Sequence, residues 1–277
     1  MENLKIRSRN THSSGDRDRG DGYGPTWLPS PPTLTLSSGH VHIWLVRLDR
    51  PGRDVQQLAQ SLIEDEHKRA ERFYFKRDKN RFIVRRAVLR MILGRYLQIE
   101  PNQIQFAYGP HGKPFLAERL CDSSLRFNLA HSHELSLYAF SHGREIGIDL
   151  EHCRALPDAE QIAARFFSAR ENATLQTLAT SQRQKAFFNC WTRKEAYIKA
   201  IGKGLTLPLD QFDVSLAPGE SASLLNAEGA FEEASRWSLK ALTPAPGYVA
   251  ALAVEGYNWH LNCWQFPEST SEVLNKQ

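Results

Sequence analysis

Long apolar runs are missing from this chain of 277 residues. No stretch approaches the roughly 20 residues that a membrane-spanning helix needs, and the N-terminus lacks the apolar core of a secretory signal. The expectation is a cytoplasmic protein with no membrane partner. Cysteine is scarce too. Cys121, Cys153, Cys190 and Cys263 stand far apart and form no Cys-x-x-Cys, which disfavours zinc ribbons and redox motifs and fits reduced, mostly buried thiols. Nor is there a large excess of charge of one sign. The formal net charge is +4, so any basic character that matters is local, and a nucleic-acid partner is not expected. With 41% hydrophobic and 24% charged residues the chain has ordinary globular usage, and its length suits one large domain or two small ones.

Residues 1–38 are rich in Ser, Gly, Pro, Arg and Asp and read as a flexible arm, because they cannot bury enough apolar surface to offset the entropy of ordering. The folded part opens with a β-branched and aromatic strand, Val41–Val46, and an Asp49-Arg50-Pro51-Gly52 turn. From Val55 to Tyr96 apolar residues recur at helical spacing, which predicts a shorter helix and then a long one. Strands are predicted at Ile104–Tyr108, Leu125–Leu129 and Leu135–Ser141.

The second half opens with a strand over Glu145–Glu151 and a helix over Asp158–Phe167, and Ser168-x-x-Glu171 reads as a capping box. A strong helix over 182–201 stops at Gly202-x-Gly204. Leu205–Val214, Ser238–Leu242, Tyr248–Val254 and Trp259–Gln265 read as strands. The expected organisation is an N-terminal α+β subdomain over 39–144, a C-terminal α+β subdomain over 145–266 and a tail over 267–277. Two halves of similar make-up suggest a pseudo-duplicated fold.

Four constellations bear on chemistry. Asp149 and Glu151 stand at i and i+2, so on a strand both carboxylates leave the same face while Ile148 and Leu150 point to the core. A hard divalent cation such as magnesium would offset their repulsion; two solvated acids on an exposed edge is the plainer alternative. Glu195 and Lys199 share a helix face at i and i+4, offering an acid and a base together or an ordinary surface ion pair. Between Lys68 and Arg90 lies a dense basic stretch that includes Arg69, Arg81, Arg85 and Arg86, with Lys113 on a following turn; it suits an anionic partner or a solvated face. His131 and His133 close a strand end where His131 would touch a phosphate or simply bond within a turn, and further ligands for a metal are not at matching spacing.

The order of these blocks resembles the phosphopantetheinyl transferases of the surfactin-synthetase (Sfp) type. The resembling blocks are Phe127-Asn128-Leu129-Ala130-His131-Ser132, Gly147-Ile148-Asp149-Leu150-Glu151, Arg165-Phe166-Phe167-Ser168, and Trp191-x-x-Lys194-Glu195-Ala196-x-x-Lys199 with Gly202-x-Gly204-Leu205. The resemblance implies a pseudo-twofold pair of α+β subdomains with the site at their interface. It implies coenzyme A as substrate, Mg2+ held by Asp149, Glu151 and Glu195, Lys199 facing the diphosphate, and Arg69, Arg81, Lys113 and His131 holding phosphates and the adenosine end. The implied reaction moves 4'-phosphopantetheine to a serine of an apo acyl or peptidyl carrier protein and releases adenosine 3',5'-bisphosphate, with Glu195 and Lys199 catalytic and Glu171 a supporting acid. Carriers of fatty-acid, polyketide or nonribosomal-peptide synthesis would all qualify. The segment from His152 to Phe167, with Ile162, Ala163 and Phe166, would dock the carrier or belong to the core. An internal pseudo-dimer makes a monomer the expected state. The alternatives from other classes are a non-catalytic coenzyme A or carrier-protein binding protein and a magnesium-dependent nuclease.

Overall fold

A computed structural model describes residues 25–117, 124–227 and 231–269. Arm residues 1–24, tail residues 270–277 and Cys121 lie outside the described residues. The first half carries β1 (Leu28–Pro29), β2 (His40–Arg47), α1 (Gly52–Ala59), α2 (Glu64–Ala70), α3 (Lys76–Leu97), β3 (Phe106–Tyr108), β4 (Pro114–Leu116), β5 (Leu125–Ser132) and β6 (Leu135–His142). The second carries β7 (Ile146–His152), α4 (Ala159–Phe166), α5 (Ala169–Thr177), α6 (Thr180–Ile201), β8 (Phe212–Val214), β9 (Leu224–Ala227), α7 (Phe231–Ala234), β10 (Trp237–Leu242), β11 (Tyr248–Glu255) and β12 (His260–Gln265).

Laid side by side, the halves repeat one plan. Each runs from an opening strand through short helices to a 22-residue helix, then a small two-stranded ladder, then two longer strands. Strand order repeats as well: β2-β6-β5 in the first half corresponds to β7-β11-β10 in the second, and every one of those pairings is antiparallel. The fold is therefore α+β with an internal pseudo-twofold, although no sequence repeat announces it.

The two sheets face each other through their apolar sides. Val41, Ile43, Leu45, Leu137 and Ala139 of the first sheet bury against Ile148, Leu150, Ala250, Leu252 and Val254 of the second, a sheet-on-sheet core that fixes the halves as one body. Separate cores lie beneath α3 and around α6. Because strand side chains alternate, Ile148 and Leu150 in that shared core leave Gly147, Asp149 and Glu151 on the opposite face of β7, toward α6.

Sequence and structure differ at three places. β12 leaves the second half and pairs in parallel with β2, giving the sheet order β1-β12-β2-β6-β5, so residues 39–144 and 145–266 interlock. Residues of the arm also join the fold: Leu28 and Pro29 pair with β12, and Arg95 donates to the Ser30 hydroxyl at 3.2 Å and the Pro31 carbonyl at 2.5 Å. The strand expected over Leu205–Val214 is instead two 3-10 turns, Gly204–Thr206 and Leu209–Gln211, with a strand only at Phe212–Val214. Pro208 lacks the N–H a ladder requires, and the Lys194 ammonium takes the carbonyls of Leu209 and Phe212 at 2.6 and 2.5 Å. Among the described residues no helix is long and apolar enough to cross a membrane, and Cys153, Cys190 and Cys263 are free thiols.

Candidate active site

Gly147 sets the distance between β7 and α6. A β-carbon there would stand 2.0 Å from the Ala196 carbonyl oxygen and 2.3 Å from the Ala200 nitrogen, so only glycine lets strand and helix touch. Two residues on along the same face comes Asp149, and one helical turn apart on α6 come Glu195 and Lys199. The close approach brings Lys199 Nζ to 2.6 Å from Asp149 Oδ1. Gly202 then ends α6 with φ of 71°, its N–H bonded to the Ile198 carbonyl.

Strand β5 of the first half is stitched to β7 of the second by side chains. The Asn128 amide oxygen accepts the Ile148 N–H at 2.9 Å. The Ser132 hydroxyl donates to Glu151 Oε2 at 3.1 Å and accepts the His152 N–H at 3.0 Å. His131, between these two anchors, is carried to the mouth of the same cleft. The cleft has a volume of about 550 Å³ and lies where the halves meet, with Asp149, Glu151, Glu195 and Lys199 on one side and Arg69, Arg85, Arg86, Lys113 and His131 among its other walls.

The three acids are electrostatically unhappy as they stand. Burial pushes the Asp149 carboxyl up against the opposing pull of Lys199. Burial and then the Asp149 charge push Glu151 up, with the Ser132 hydrogen bond opposing. Burial and then Asp149 do the same to Glu195. Asp149 is only 6% exposed, and its Oδ2 is buried without a hydrogen-bond partner, a state that costs on the order of 1–3 kcal/mol or more. Among the described residues no three donors already enclose a metal-sized point; the Lys199 ammonium stands at Asp149 instead. The donor set, three carboxylates with one orphaned oxygen, nonetheless fits a hard divalent cation.

The opposite walls are cationic. Lys113 donates to the Ala200 carbonyl at 3.1 Å and pairs with Glu145 at 3.7 Å, and burial lowers its ammonium pKa. His131 is exposed to the cleft, and the surrounding walls, then Arg85 and Lys199, favour its neutral form. Arg69 and Arg85 lie over the Phe82 ring at 5.5 and 5.9 Å.

Arg81 is not brought into this wall: its guanidinium makes a two-pronged pair with Asp49 at 2.6 and 2.7 Å. Glu171 is likewise elsewhere. It is buried in the capping box with Ser168, accepts the Val214 N–H at 2.8 Å and pairs with the buried Lys194 at 2.7 Å. Ala163 is core, and Ile162 and Phe166 pack half-buried against it. Several contributors have roles that sequence reasoning missed. Gly147, Asn128, Ser132 and Lys194 stand within the signature blocks, but their roles could not be read there because each acts through a partner far along the chain.

Comparison with known proteins decides what this geometry belongs to. Residues 50–142 match the N-terminal part of the 4'-phosphopantetheinyl transferases, and residues 145–253 match the 4'-phosphopantetheinyl transferase superfamily. Over 241 residues the chain is 46% identical to the 4'-phosphopantetheinyl transferase HetI of Nostoc sp. strain PCC 7120, covering 87% of this chain and 98% of HetI. The chain belongs to the 4'-phosphopantetheinyl transferase superfamily. The 4'-phosphopantetheinyl transferase Sfp of Bacillus subtilis strain 168 is 34% identical over 176 residues, 63% of this chain and 76% of Sfp. A putative 4'-phosphopantetheinyl transferase of Synechocystis sp. strain PCC 6803 is 41% identical over 169 residues, 61% of this chain and 68% of that protein. It is thus a transferase of the Sfp type, an enzyme that moves a phosphopantetheinyl group, and the two matched segments meet at the cleft described above.

Proposed function

We propose that this phosphopantetheinyl transferase takes its group from coenzyme A, in a Mg2+-dependent reaction, and places it on a serine of an apo acyl or peptidyl carrier protein. The serine oxygen bonds to the β-phosphorus, the bond from that phosphorus to the bridging oxygen breaks, and adenosine 3',5'-bisphosphate leaves with that oxygen. The serine proton passes to a carboxylate. The observation that carries the proposal is the meeting of a repelling acid trio with a cationic wall in one interdomain cleft.

Asp149, Glu151 and Glu195 would hold Mg2+, which when bound draws charge from the diphosphate oxygens. Lys199 faces the same oxygens and neutralises charge that develops as the phosphoryl group transfers. Glu195, its carboxyl raised by burial and by Asp149, accepts the serine proton directly or through a water. Arg69, Lys113 and His131 hold the rest of the donor: the first two as cations, the third as a neutral hydrogen-bonding ring. A reducing, cytoplasmic setting suits the three free thiols, and the internal pseudo-twofold supports a monomer.

The test is a mass measurement on apo carrier proteins incubated with the enzyme, coenzyme A and Mg2+, with a chelator control. A gain of about 340 Da, one phosphopantetheine group transferred by phosphoryl chemistry, is expected only when the metal is present. Coenzyme A binding with no mass gain on any carrier class would leave a non-catalytic binder.

A further inference from the structure

Strands β5 and β7 are edges of two different sheets, and among the described residues no backbone ladder joins them. Side chains of β5 take the ladder's place. Asn128 meets the Ile148 N–H at 2.9 Å, and four residues on along both strands Ser132 meets the His152 N–H at 3.0 Å. The two contacts keep one register, yet the residues that make them are not equivalent. Asn128 commits its carboxamide oxygen to the strand and makes no hydrogen bond to an acid among the described residues. A serine hydroxyl has one proton besides its lone pairs, and since the His152 N–H can only donate, a lone pair receives it and the proton is left for an acceptor. Glu151 Oε2, 3.1 Å away, is that acceptor. No described residue donates a hydrogen bond to Glu151 Oε1, and Glu151 lines the cleft. One carboxylate oxygen is thus tied to the first half while the other stays available.

Ser132 itself has little freedom. It closes the β5–β6 hairpin opposite Leu135. The chain turns immediately after it at His133, whose φ of 51° is left-handed backbone that few residues other than glycine adopt. The His133 ring stacks on His152 at 4.9 Å, and His152 rests edge-on against Tyr248 at 4.8 Å. The turn is therefore clamped to β7 and β11, and the hydroxyl is held with it.

We propose that Ser132 is a positioning residue for the metal site: it fixes the Glu151 carboxylate and leaves Oε1 for the cation, so a ligand carried by the second half is oriented by the first. The proposal rests on reading Asp149, Glu151 and Glu195 as the ligands. Partners that orient a ligand in this way are worth about ten- to hundredfold in metal affinity. The metal site is then complete only while the two halves are docked, which ties cation binding to the contact between β5 and β7.

The discriminating experiment titrates free Mn2+ by electron paramagnetic resonance in the presence of coenzyme A. It compares wild type, Ser132→Ala, Ser132→Thr, Ser132→Val, Glu151→Gln and the double variant that joins Ser132→Ala to Glu151→Gln. The Mg2+ activation constant and kcat at saturating Mg2+ are measured alongside. Ser132→Ala is expected to weaken Mn2+ about tenfold and to raise the Mg2+ activation constant by the same factor, with kcat at saturating Mg2+ within about threefold of wild type. Ser132→Thr keeps the hydroxyl and stays near wild type, whereas Ser132→Val, of the same shape without a hydroxyl, matches Ser132→Ala. In the Glu151→Gln background, where a neutral amide ligates poorly whatever its orientation, Ser132→Ala changes the affinity by about twofold or less. If Ser132→Ala does not fold, the threonine and valine variants carry the test. Equal weakening in both backgrounds, or equal affinity of the threonine and valine variants, would make Ser132 a mere stitch between strands and overturn the proposal. A wild-type enzyme that bound no Mn2+ would instead remove the acids as ligands.

Discussion

Lys199 Nζ lies 2.6 Å from Asp149 Oδ1 and so ties the end of α6 to the middle of β7 across the floor of the cleft. Its charge opposes the burial that raises Asp149. Removing it with Lys199→Ala should lower the transfer rate at saturating substrates by about a hundredfold or more, the usual scale for one preorganised charge at a phosphoryl site. Lys199→Arg should retain part of the rate. Single-turnover kinetics would check both; a rate within about threefold of wild type for Lys199→Ala would contradict the role.

Asp149→Asn, Glu151→Gln and Glu195→Gln should each weaken divalent-metal binding about tenfold or more, with Asp149→Asn the largest because its Oδ2 is buried without a partner. Free Mn2+ titrated by electron paramagnetic resonance in the presence of coenzyme A gives the affinities. Unchanged affinity in all three would remove the acids as ligands.

Gly147→Ala should destabilise the enzyme by about 3 kcal/mol, as overpacking of a tight contact does, because its β-carbon would meet the backbone of Ala196 and Ala200. Urea denaturation checks the loss. An undiminished midpoint would mean that β7 and α6 do not pack this closely.

Lys194→Met should cost about 3–5 kcal/mol, the scale for stranding one member of a buried ion pair. It leaves Glu171 unpaired and the Leu209 and Phe212 carbonyls without their donor. Denaturant midpoints again decide; a loss below about 1 kcal/mol would make the pair incidental.

His42 predicts how stability follows pH. Burial, and less strongly His40, hold its imidazole down to about 4 from 6.5. The Trp44 indole donates to the Tyr96 hydroxyl, and that hydroxyl's own proton is free for His42 Nδ1 at 2.8 Å. Below pH 6.5 the unfolded chain binds a proton that native His42 refuses until about pH 4, so this stability is full above that window and falls within it. The loss amounts to about 3 kcal/mol. Melting temperatures from pH 7 to pH 4 should fall less steeply in His42→Gln than in the wild type, and equal slopes would contradict the assignment.

What the sequence made legible was local. Ser168 and Glu171 could be read as a capping box because their bonds lie three residues apart. Asp149 and Glu151 could be placed on one face because strand alternation needs no distant partner. The transfer of β12 into the first half's sheet was hidden, since nothing in His260–Gln265 names the strand beside it. Arg81 and Arg86 look alike in a run of basic residues; their fates differ because Asp49 captures one and Glu66 aims the other into the cleft. Gly147 is indistinguishable from any strand glycine until the carbonyl of Ala196 is seen above it.

If one interdomain cleft performs the whole transfer, product release and carrier modification run in step. Adenosine 3',5'-bisphosphate released and phosphopantetheine gained by an apo carrier protein should be counted in the same reaction, for wild type and for Glu195→Gln. The account predicts one released per group gained in the wild type, dependent on Mg2+, and a rate at least about a hundredfold lower in Glu195→Gln despite retained coenzyme A binding. Full-rate transfer by Glu195→Gln, or carrier modification without stoichiometric release, would contradict it.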